Sequence, residues 1–364
     1  MSGRKQVFTS NQQQIEIAAA PFAKGGEGTV HKILSPGPLQ SSCVKLYYDK
    51  YRTEERQQKI EYMVGNPPSG LSSRVYMVCW PSELVFDTDN PNGQRFLGFL
   101  MPAAWHNNTL LYGLCLPNTP PTKPWLSTKF DRKTAQGQAS RLKLIVNIAS
   151  AVHSIHACNQ YVFVDMKPQN ILLTEDAKIA IVDLDSIQIA DQKNALFAAK
   201  VLTPEYMPPE ASALKLEKDC VSVHWDQFSL AVIFYQLLFG LHPYMASFKN
   251  AYANVATPRE AIKHGLFVHG SRRQHIHALP SPHQAFDKLD ARLKTLFKRA
   301  FDIGFRHPKL RPSAAEWGES IHRLLVPAGQ VRAHETFLPP QTQKLLENRI
   351  SDLQSALQHR ASLR

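Results

Sequence analysis

The fold is decided by residues 164–173, which read Val-Asp-Met-Lys-Pro-Gln-Asn-Ile-Leu-Leu, and by residues 178–186, which read Lys-Ile-Ala-Ile-Val-Asp-Leu-Asp-Ser. Asp165 and Asn170 lie five residues apart on a loop that enters a hydrophobic strand, and Asp183 ends a second strand. Each of these residues, taken singly, is more often a turn residue. Together, they place one group that could accept a hydroxyl proton beside two that could hold magnesium.

A glycine-rich turn occurs near the start of the chain, where residues 23–30 read Ala-Lys-Gly-Gly-Glu-Gly-Thr-Val. Glycines between two short strands let backbone N–H groups approach phosphate oxygens that a Cβ would obstruct. Taken alone, the pattern is more typical of an ordinary hairpin. Lys45 follows in a strand predicted over residues 42–48, where its ammonium either reaches the surface or is held against nucleotide phosphates.

The functional interpretation of Lys45 requires a carboxylate from the next helix. The polar stretch 49–64 predicts that helix, which a Gly-Asn-Pro-Pro sequence ends. Glu61 is taken as the partner of Lys45, with Glu54 and Glu55 as alternatives on the same helix.

The remaining patterns divide the chain into a strand-rich first third and a helix-rich remainder. Further strands are predicted over 75–79 and 96–101, and a proline-rich connector over 117–124. Apolar residues at helical spacing predict a helix over 140–160, and the nearly all-apolar segment 227–239 predicts a buried central helix.

These motifs resemble the protein-kinase signature set, in which D-x-K-P-x-N precedes a D-F-G position, and the glycine-rich turn and strand lysine match it too. Residues 203–210 resemble the A-P-E segment, and residues 226–230 resemble the start of the buried large-lobe helix, with Phe228 in place of Trp. Arg311 corresponds to the late arginine that pairs with the A-P-E glutamate, here Glu210. The matches keep the family's order over roughly residues 15–325.

The resemblance implies a role for each matched residue. Asp165 is implied as the catalytic base, Lys167 as the group that steadies the transferred phosphoryl, and Lys45 as the ligand of the α- and β-phosphates. Asn170 and Asp183 are implied to hold magnesium, or manganese in its place. The further residues implied to bind ATP are Gly25, Gly26, Glu27, Gly28, Thr29, Val30, Glu61, Met101, Pro102 and Ala104.

The implied hinge covers residues 99–104. Met101 is the gatekeeper of this segment. Pro102 lacks an N–H and can offer adenine only its carbonyl, so Ala104 is expected to supply the donor.

Several positions depart from the family pattern. Ala23 replaces the first loop glycine, and Phe163-Val164 replaces the usual His-Arg. Without that arginine, a phosphorylated activation loop has no obvious partner, so we expect activity without such phosphorylation. Ser186 is the only hydroxyl residue between Asp185 and Thr203.

The D-F-G position reads Asp183-Leu184-Asp185. Loss of the glycine should discourage a flip of Asp183, and the extra carboxylate could raise metal affinity or repel ATP. The D-L-D-S form resembles a bacterial branch of eukaryotic-like (Hanks-type) Ser/Thr protein kinases. Longer members of that branch carry helix-hairpin-helix DNA-binding modules, and some are associated with tellurite-resistance proteins and a protein phosphatase.

Two functions remain open from the sequence. An active Ser/Thr protein kinase is favoured by Lys167, two residues after the base, and by Thr203, placed where the family's threonine bonds both. The alternative is a pseudokinase that acts as a nucleotide-binding scaffold or signalling module.

The implied fold is a bilobal α+β kinase, with a small lobe of antiparallel sheet plus one helix and a mainly helical large lobe. The expected division of the chain is a polar N-terminal segment at 1–14, the small lobe at 15–104, the hinge and connector at 105–124, the large lobe at 125–328 and a C-terminal extension at 329–364.

Charge and composition bear on partners and compartment. The 364 residues carry 42 Lys plus Arg against 30 Asp plus Glu, a net charge of +12. Twelve of the cations and four of the acids lie in residues 258–311, so this stretch is either a solvated face or a docking surface for an acidic partner or DNA. Five dispersed cysteines, the absence of a signal peptide and the absence of a membrane span predict a cytoplasmic protein.

The C-terminal residues 342–363 carry a short heptad pattern, Leu346, Ile350, Leu353 and Leu357. The pattern fits either a helix that packs on the large lobe or a coiled coil. A chain that ends soon after this helix is also consistent with a longer parent protein.

Overall fold

The computed structural model describes residues 3–91, 93–120, 122–191, 194–215 and 218–325, so the heptad pattern lies outside the described residues. The strands in these ranges are β1 Arg4–Thr9, β2 Gln14–Ala18, β3 Ala23–Lys24, β4 Gly28–Ser35, β5 Ser42–Tyr47, β6 Tyr76–Val78, β7 Glu83–Phe86, β8 Phe96–Pro102, β9 Thr109–Leu110, β10 Tyr161–Val162, β11 Ile171–Leu173, β12 Ile179–Ile181, β13 Gln188–Asp191, β14 Asn194–Phe197, β15 Ser247–Phe248 and β16 Ile276–Ala278.

The α-helices in the same ranges are α1 Glu54–Gly65, α2 Tyr112–Cys115, α3 Pro124–Lys129, α4 Ala135–His156, α5 His224–Phe239, α6 Pro258–Lys263, α7 Ala291–Lys298, α8 Gly304–Arg306 and α9 Ala314–Leu325. The strands are concentrated in the first third and the helices in the remainder. This distribution confirms the predicted bilobal α+β architecture. No helix of the described ranges combines the length and apolarity needed to cross a bilayer.

The small lobe is built on an antiparallel sheet in the order β2-β1-β7-β8-β5-β4-β3. Because β2 pairs with β4 as well as with β1, six of the strands close into a ring. Strand side chains alternate between the two faces, and the inward set forms a separate apolar core: Val7, Ile15, Ile17, Ile33, Val44, Leu46, Val85, Leu97 and Leu100.

The start of the chain differs from the expected polar segment at 1–14. Its residues Arg4–Thr9 form β1, which pairs with β2 and β7, and Val7 is buried in the ring. The apolar signal in this strand is weak because half of its length faces solvent. Pairing with its neighbours, rather than hydrophobic alternation, makes the strand.

Two other predicted segments are corrected. The segment 75–79 does contain a strand, β6, but β6 pairs in parallel with β12 in a four-stranded sheet, β6-β12-β11-β9, outside the small-lobe ring. The connector at 105–124 contains β9 and α2, and Leu111 and Leu114 are fully buried. Most of the connector therefore folds onto the large lobe instead of spanning open space.

Helix α1 begins later than predicted. Residues 49–51 form one 3-10 turn, and Thr53 then caps the helix by accepting the N–H of Arg56 at 3.2 Å. The interior face of α1 buries Lys59, Ile60 and Met63. This interior face decides which side chains of α1 can reach the cleft.

The large lobe is organised around α4 and α5. Thirteen of the sixteen residues of α5 are buried, as expected for a central helix. Helix α9 packs along α4 and buries Trp317 and Ile321 against the same core. This rigid base carries the loop that holds Asp165.

Candidate active site between the lobes

The centre of the site is a hydrogen-bonded triangle of Asp165, Lys167 and Thr203. The Lys167 ammonium lies 2.5 Å from Asp165 Oδ2 and donates to Thr203 Oγ1 at 3.0 Å, and the Thr203 hydroxyl donates to Asp165 Oδ1 at 2.7 Å. The contacts expected of Thr203 are therefore formed. They hold a buried carboxylate in one orientation beside a cation.

Helix α5 positions the loop in front of Asp165. The buried Asp226 carboxylate accepts the backbone N–H groups of Phe163 and Val164 at 2.8 and 2.9 Å. Val164 has a left-handed φ of +64°, which is uncommon for a β-branched residue, and Trp225 Nε1 donates to its carbonyl at 2.8 Å. These bonds hold the strained backbone in place. Phe163 and Val164, which replace the usual His-Arg, both have buried apolar side chains.

Asn170 and Asp183 face the same small cavity as Asp165 and Lys167. The Asn170 amide nitrogen donates to the Asp165 carbonyl at 3.2 Å, which leaves its side-chain oxygen available. Asp183 has a left-handed φ of +63°, and half of its side chain is exposed. An amide oxygen and a carboxylate are hard ligands that suit Mg²⁺, which binds through one or two protein ligands and substrate phosphates. The donor set fits the implied metal.

The structure does not form the predicted pair between Lys45 and Glu61. Glu61 is exposed on α1, while the buried Lys45 ammonium lies 2.7 Å from both Asp183 Oδ1 and Asp185 Oδ1. Burial by itself lowers the pKa of Lys45, but the carboxylates of Asp185 and Asp183 outweigh it and raise that pKa. The side chain by which α1 contacts Asp185 is the cation of Arg56, and α1 supplies no carboxylate to Lys45.

Asp185 is the most enclosed acid of the site, with a side chain 1% exposed. Besides Lys45, it accepts hydrogen bonds from the Tyr47 hydroxyl at 2.5 Å and from Arg56 at 3.3 Å. Burial opposes ionisation, but Lys45, Tyr47 and Arg56 together lower the pKa of Asp185 to about 2. The negative charge of this carboxylate is balanced within the protein by the charges of Lys45 and Arg56.

The interior face of α1 also carries Lys59, a lysine with 7% of its surface exposed. Among the described residues, its side chain has no hydrogen-bond or ion-pair partner. Burial lowers the pKa of Lys59 to about 8, and the charge of Asp185 offsets only part of this effect. No sequence pattern singled out this residue.

The glycine-rich turn is closed by a hydrogen bond from the Gly25 N–H to the Gly28 carbonyl at 2.9 Å. A Cβ on Gly26 would meet no atom within 4 Å, whereas one on Gly28 would lie 2.3 Å from the Leu46 carbonyl oxygen. Gly26 is therefore open to a ligand. Gly28 is required for the close approach of β4 to β5.

The other predicted loop residues have different surroundings. The Glu27 carboxylate accepts hydrogen bonds from Arg56 at 2.8 and 2.9 Å, so its side chain contacts α1. Thr29 Oγ1 lies 2.8 Å from His31 Nε2. Val30 is half-buried and packs against the main core, at the roof of the cleft.

The implied hinge follows β8. Met101 is buried opposite Cys43, and the N–H of Ala103 donates to the Ser41 carbonyl at 3.0 Å. Pro102 ends the strand. Among the described residues, no hydrogen bond involves the Ala104 N–H, which is the donor assigned to adenine.

The late arginine and the A-P-E glutamate do meet. Arg311 is fully buried and binds Glu210 through two hydrogen bonds of 2.6 and 2.7 Å. Its guanidinium also lies 5.3 Å from the ring centre of Phe228, the residue that replaces the usual Trp. The predicted pair is confirmed.

The basic stretch 258–311 presents less charge to solvent than its composition indicates. Five of its twelve cations bond to protein oxygens: Arg259, Arg272, Lys294, Arg299 and Arg311. The exposed ones are Lys263, Arg273, Lys288, Arg292, Lys298, Arg306 and Lys309. Two of its histidines, His269 and His283, pack around Tyr235 within the lobe.

Comparison with known proteins relates the chain to a family, a curated relative and two solved structures. A family model described as "Protein kinase domain" matches residues 107–319. "Protein kinase YegI" of Escherichia coli K12 is 25% identical over 327 residues, covering 87% of this chain and 46% of that protein. The chain thus spans less than half the length of this curated relative.

Two solved structures show the same fold at low identity. The ROP18 kinase domain in complex with AMP-PNP and sucrose matches with a TM-score of 0.57 and 16% identity, covering 89% of this chain and 85% of that one. ROP2 from Toxoplasma gondii, described as a virulence factor with a protein-kinase fold and no enzymatic activity, matches with a TM-score of 0.56 and 14% identity, covering 89% and 84%.

Proposed function

Because this chain belongs to the protein kinase domain family, we propose that it transfers the γ-phosphoryl group of ATP to Ser or Thr hydroxyls of proteins. The observation that carries the proposal is the triangle of Asp165, Lys167 and Thr203. Its carboxylate orients the substrate hydroxyl and accepts its proton. Its ammonium stabilises the charge on the transferred phosphoryl group.

Asn170 and Asp183 are the residues that would hold magnesium, which neutralises charge on the β- and γ-phosphates when bound. Manganese, with a similar preference for oxygen ligands, would fit the same donors. An ammonium has three N–H donors, and Lys45 uses two of them on Asp183 and Asp185. The third is left for a phosphate oxygen of ATP.

The preference for Ser and Thr is supported by Lys167, which stands two residues after the base. The hydroxyl of Thr203 links this lysine to Asp165 and fixes the start of the segment that precedes Glu210. In the family, that segment docks peptides. A protein substrate is therefore proposed over a small molecule.

A nucleotide-binding scaffold is the alternative, and one observation favours it. The Lys45 ammonium already has two carboxylate partners, so only one of its three N–H donors remains for a phosphate. Incubation with γ-labelled ATP and magnesium, comparing the wild type with Asp165→Ala, decides between the two. The proposed activity predicts transfer to the chain itself or to a generic protein only in the wild type. Binding of ATP with no transfer would leave the scaffold.

Activity without phosphorylation of the activation segment is part of the proposal. The segment after Asp185 forms a hairpin of β13 and β14, and β13 pairs with β10. Phe197 packs on Tyr62 of α1 with ring centres 6.1 Å apart, and Lys200 lies 2.5 Å from Glu55. These contacts support a segment ordered without a phosphate.

Ser186 provides the test of this independence. Its hydroxyl donates to the Asp183 carbonyl at 3.0 Å, a turn contact that an alanine would lose at small cost. Ser186→Ala is expected to keep most of the activity. Complete loss in that variant, restored by Ser186→Asp, would contradict the proposal.

We also propose a cytoplasmic compartment and a branch of the family. All five cysteines are free, and burial raises the pKa of Cys43, Cys79 and Cys115 to about 12, as expected for inert thiols in a cytoplasm. The D-L-D-S motif, the similarity to a bacterial relative and the partial coverage of that relative agree with a branch whose longer members carry helix-hairpin-helix modules. A cognate phosphatase is proposed from the same resemblance.

An acidic partner or DNA is proposed for the seven exposed cations of residues 258–311. Binding to a random duplex that weakens steeply with salt would support DNA. Absence of binding at low salt would remove DNA and leave an acidic protein.

A further inference from the structure

The carboxylate partners of Lys45 do not come from helix α1. The three glutamates of α1, Glu54, Glu55 and Glu61, are all exposed. The side chain that α1 turns toward Lys45 is Arg56, a cation whose guanidinium lies 5.0 Å from the ring centre of Tyr47. Two cations on facing elements repel each other unless an anion lies between them.

That anion is Asp185. Its Oδ1 accepts from Lys45 at 2.7 Å, and its Oδ2 accepts from Arg56 at 3.3 Å and from Tyr47 at 2.5 Å. The side chains of Lys45, Arg56 and Asp185 are 9, 12 and 1% exposed, so the three charges interact with little screening by water. A carboxamide at position 185 would leave two buried cations without their shared counter-charge.

The chain of contacts continues to the glycine-rich turn. Arg56 binds both oxygens of Glu27, at 2.8 and 2.9 Å, in the paired geometry that guanidinium and carboxylate groups favour. Glu27 lies between Gly26 and Gly28 and is the only acid of the turn. Its bond to α1 therefore holds down the backbone that would cover the nucleotide.

We propose that Asp185 and Arg56 jointly replace a helix glutamate: Asp185 orients Lys45, and Arg56 ties Asp185 to Glu27 and the glycine-rich turn. This inference rests on the proposed nucleotide site but not on phosphotransfer. Asp185 and Arg56 are positioning residues, since they act on ATP through Lys45 and the turn. The segment after the metal-binding position thereby couples the lysine on β5 to closure of the turn.

The first test is Asp185→Asn, which keeps size and removes charge. We expect at least a tenfold weaker affinity for ATP with magnesium, measured by calorimetry, and at least a tenfold lower kcat/KM where transfer is measurable. Asp191→Asn, an exposed acid of β13, is the matched control and should change neither. Unchanged ATP affinity in Asp185→Asn would overturn the inference.

A charge transfer between positions separates positioning from mere structural support. Arg56→Glu should bind ATP much more weakly than the wild type, because the new carboxylate would face the carboxylates of Asp185 and Glu27. Combined with Asp185→Asn and Glu27→Gln, the same glutamate takes the place of Asp185 as the second anion facing Lys45, beside Asp183, and ATP affinity should recover at least tenfold over Arg56→Glu. A triple variant that folds but binds ATP as weakly as Arg56→Glu would contradict the proposal.

Glu27→Gln keeps the inference testable if the buried variants do not fold. The Glu27 side chain is 20% exposed, so its loss should leave the fold intact while weakening ATP binding several-fold. Glu16→Gln, which breaks the surface pair with Arg4, is the control. No change in ATP affinity in Glu27→Gln would refute the link to the turn. A wild type that binds ATP but transfers no phosphate would refute the proposed activity, whereas these predictions about ATP binding would still apply.

Discussion

Replacing Lys59 by methionine should stabilise the folded chain at neutral pH, and the gain should shrink as the pH rises. Lys59 is buried on α1 without a hydrogen-bond partner among the described residues. Burial lowers its pKa from 10.5 to about 8, an effect to which Arg56 and Lys200 add and which Asp185 and Glu27 oppose. Methionine has a similar length and no charge, so it can fill the same space.

The magnitude follows from the difference between the folded and unfolded pKa values. A shift from 10.5 to about 8 corresponds to roughly 3 kcal/mol at 1.36 kcal/mol per pKa unit, an upper limit for the cost of burying the charge. Between pH 8 and 10.5, the unfolded chain binds more protons at this site than the folded chain. The wild type therefore gains stability over that window, relative to the variant.

Urea unfolding at pH 7 and at pH 10 measures the effect as a difference between wild type and Lys59→Met, so titrations common to both proteins cancel. We expect a stability gain for the variant at pH 7 that is mostly lost at pH 10. Lys298→Met, on an exposed site of α7, is the control and should show neither the stability gain at pH 7 nor a change between pH 7 and pH 10. A difference that stays the same at both pH values, or a variant less stable at pH 7, would refute the reasoning.

Three further variants test particular contacts. Arg311→Met leaves the carboxylate of Glu210 without its buried partner and should cost about 3–5 kcal/mol in urea unfolding, and a cost below about 1 kcal/mol would show that the pair is dispensable. Gly98→Ala places a Cβ 1.9 Å from the carbonyl oxygen of Lys45 and should destabilise the chain by about 4 kcal/mol or more. Its control is Gly26→Ala, whose Cβ meets nothing within 4 Å. Equal stability of the two variants would argue against this packing. Thr203→Val removes the hydroxyl that bonds Asp165 and Lys167 and should lower kcat roughly tenfold to a hundredfold with little change in the KM for ATP; a change confined to KM would contradict its assignment to the phosphoryl-transfer centre.

Local spacing explains why the catalytic loop could be predicted from the sequence. Asp165, Lys167 and Asn170 lie within six residues, so the loop that joins them keeps them close together. The pairing of Arg311 with Glu210 was predictable for another reason, since the family resemblance supplied a long-range contact that spacing does not contain.

The partner of Lys45 could not be predicted in this way. The helix that follows Lys45 offers three glutamates, but packing decides which of its faces is buried. Ile60 and Met63 of α1 are buried in the core, whereas Glu61 is exposed. Residues three and four apart share one face of a helix, so Arg56 lies on the same inward face as Ile60.

The amino-acid sequence by itself determined the strand-rich first third, the helix-rich remainder and the residues of the catalytic loop, because these depend on periodicity and on short separations along the chain. The two-lobed fold followed from the resemblance of its motifs to those of protein kinases. Only the tertiary structure decided that Asp185, 140 residues from Lys45, is its counter-charge and that Arg56 links it to Glu27. It also decided that Arg4–Thr9 belongs to the small-lobe ring. Ion pairs and strand pairing depend on distance through space, which spacing along one chain does not specify.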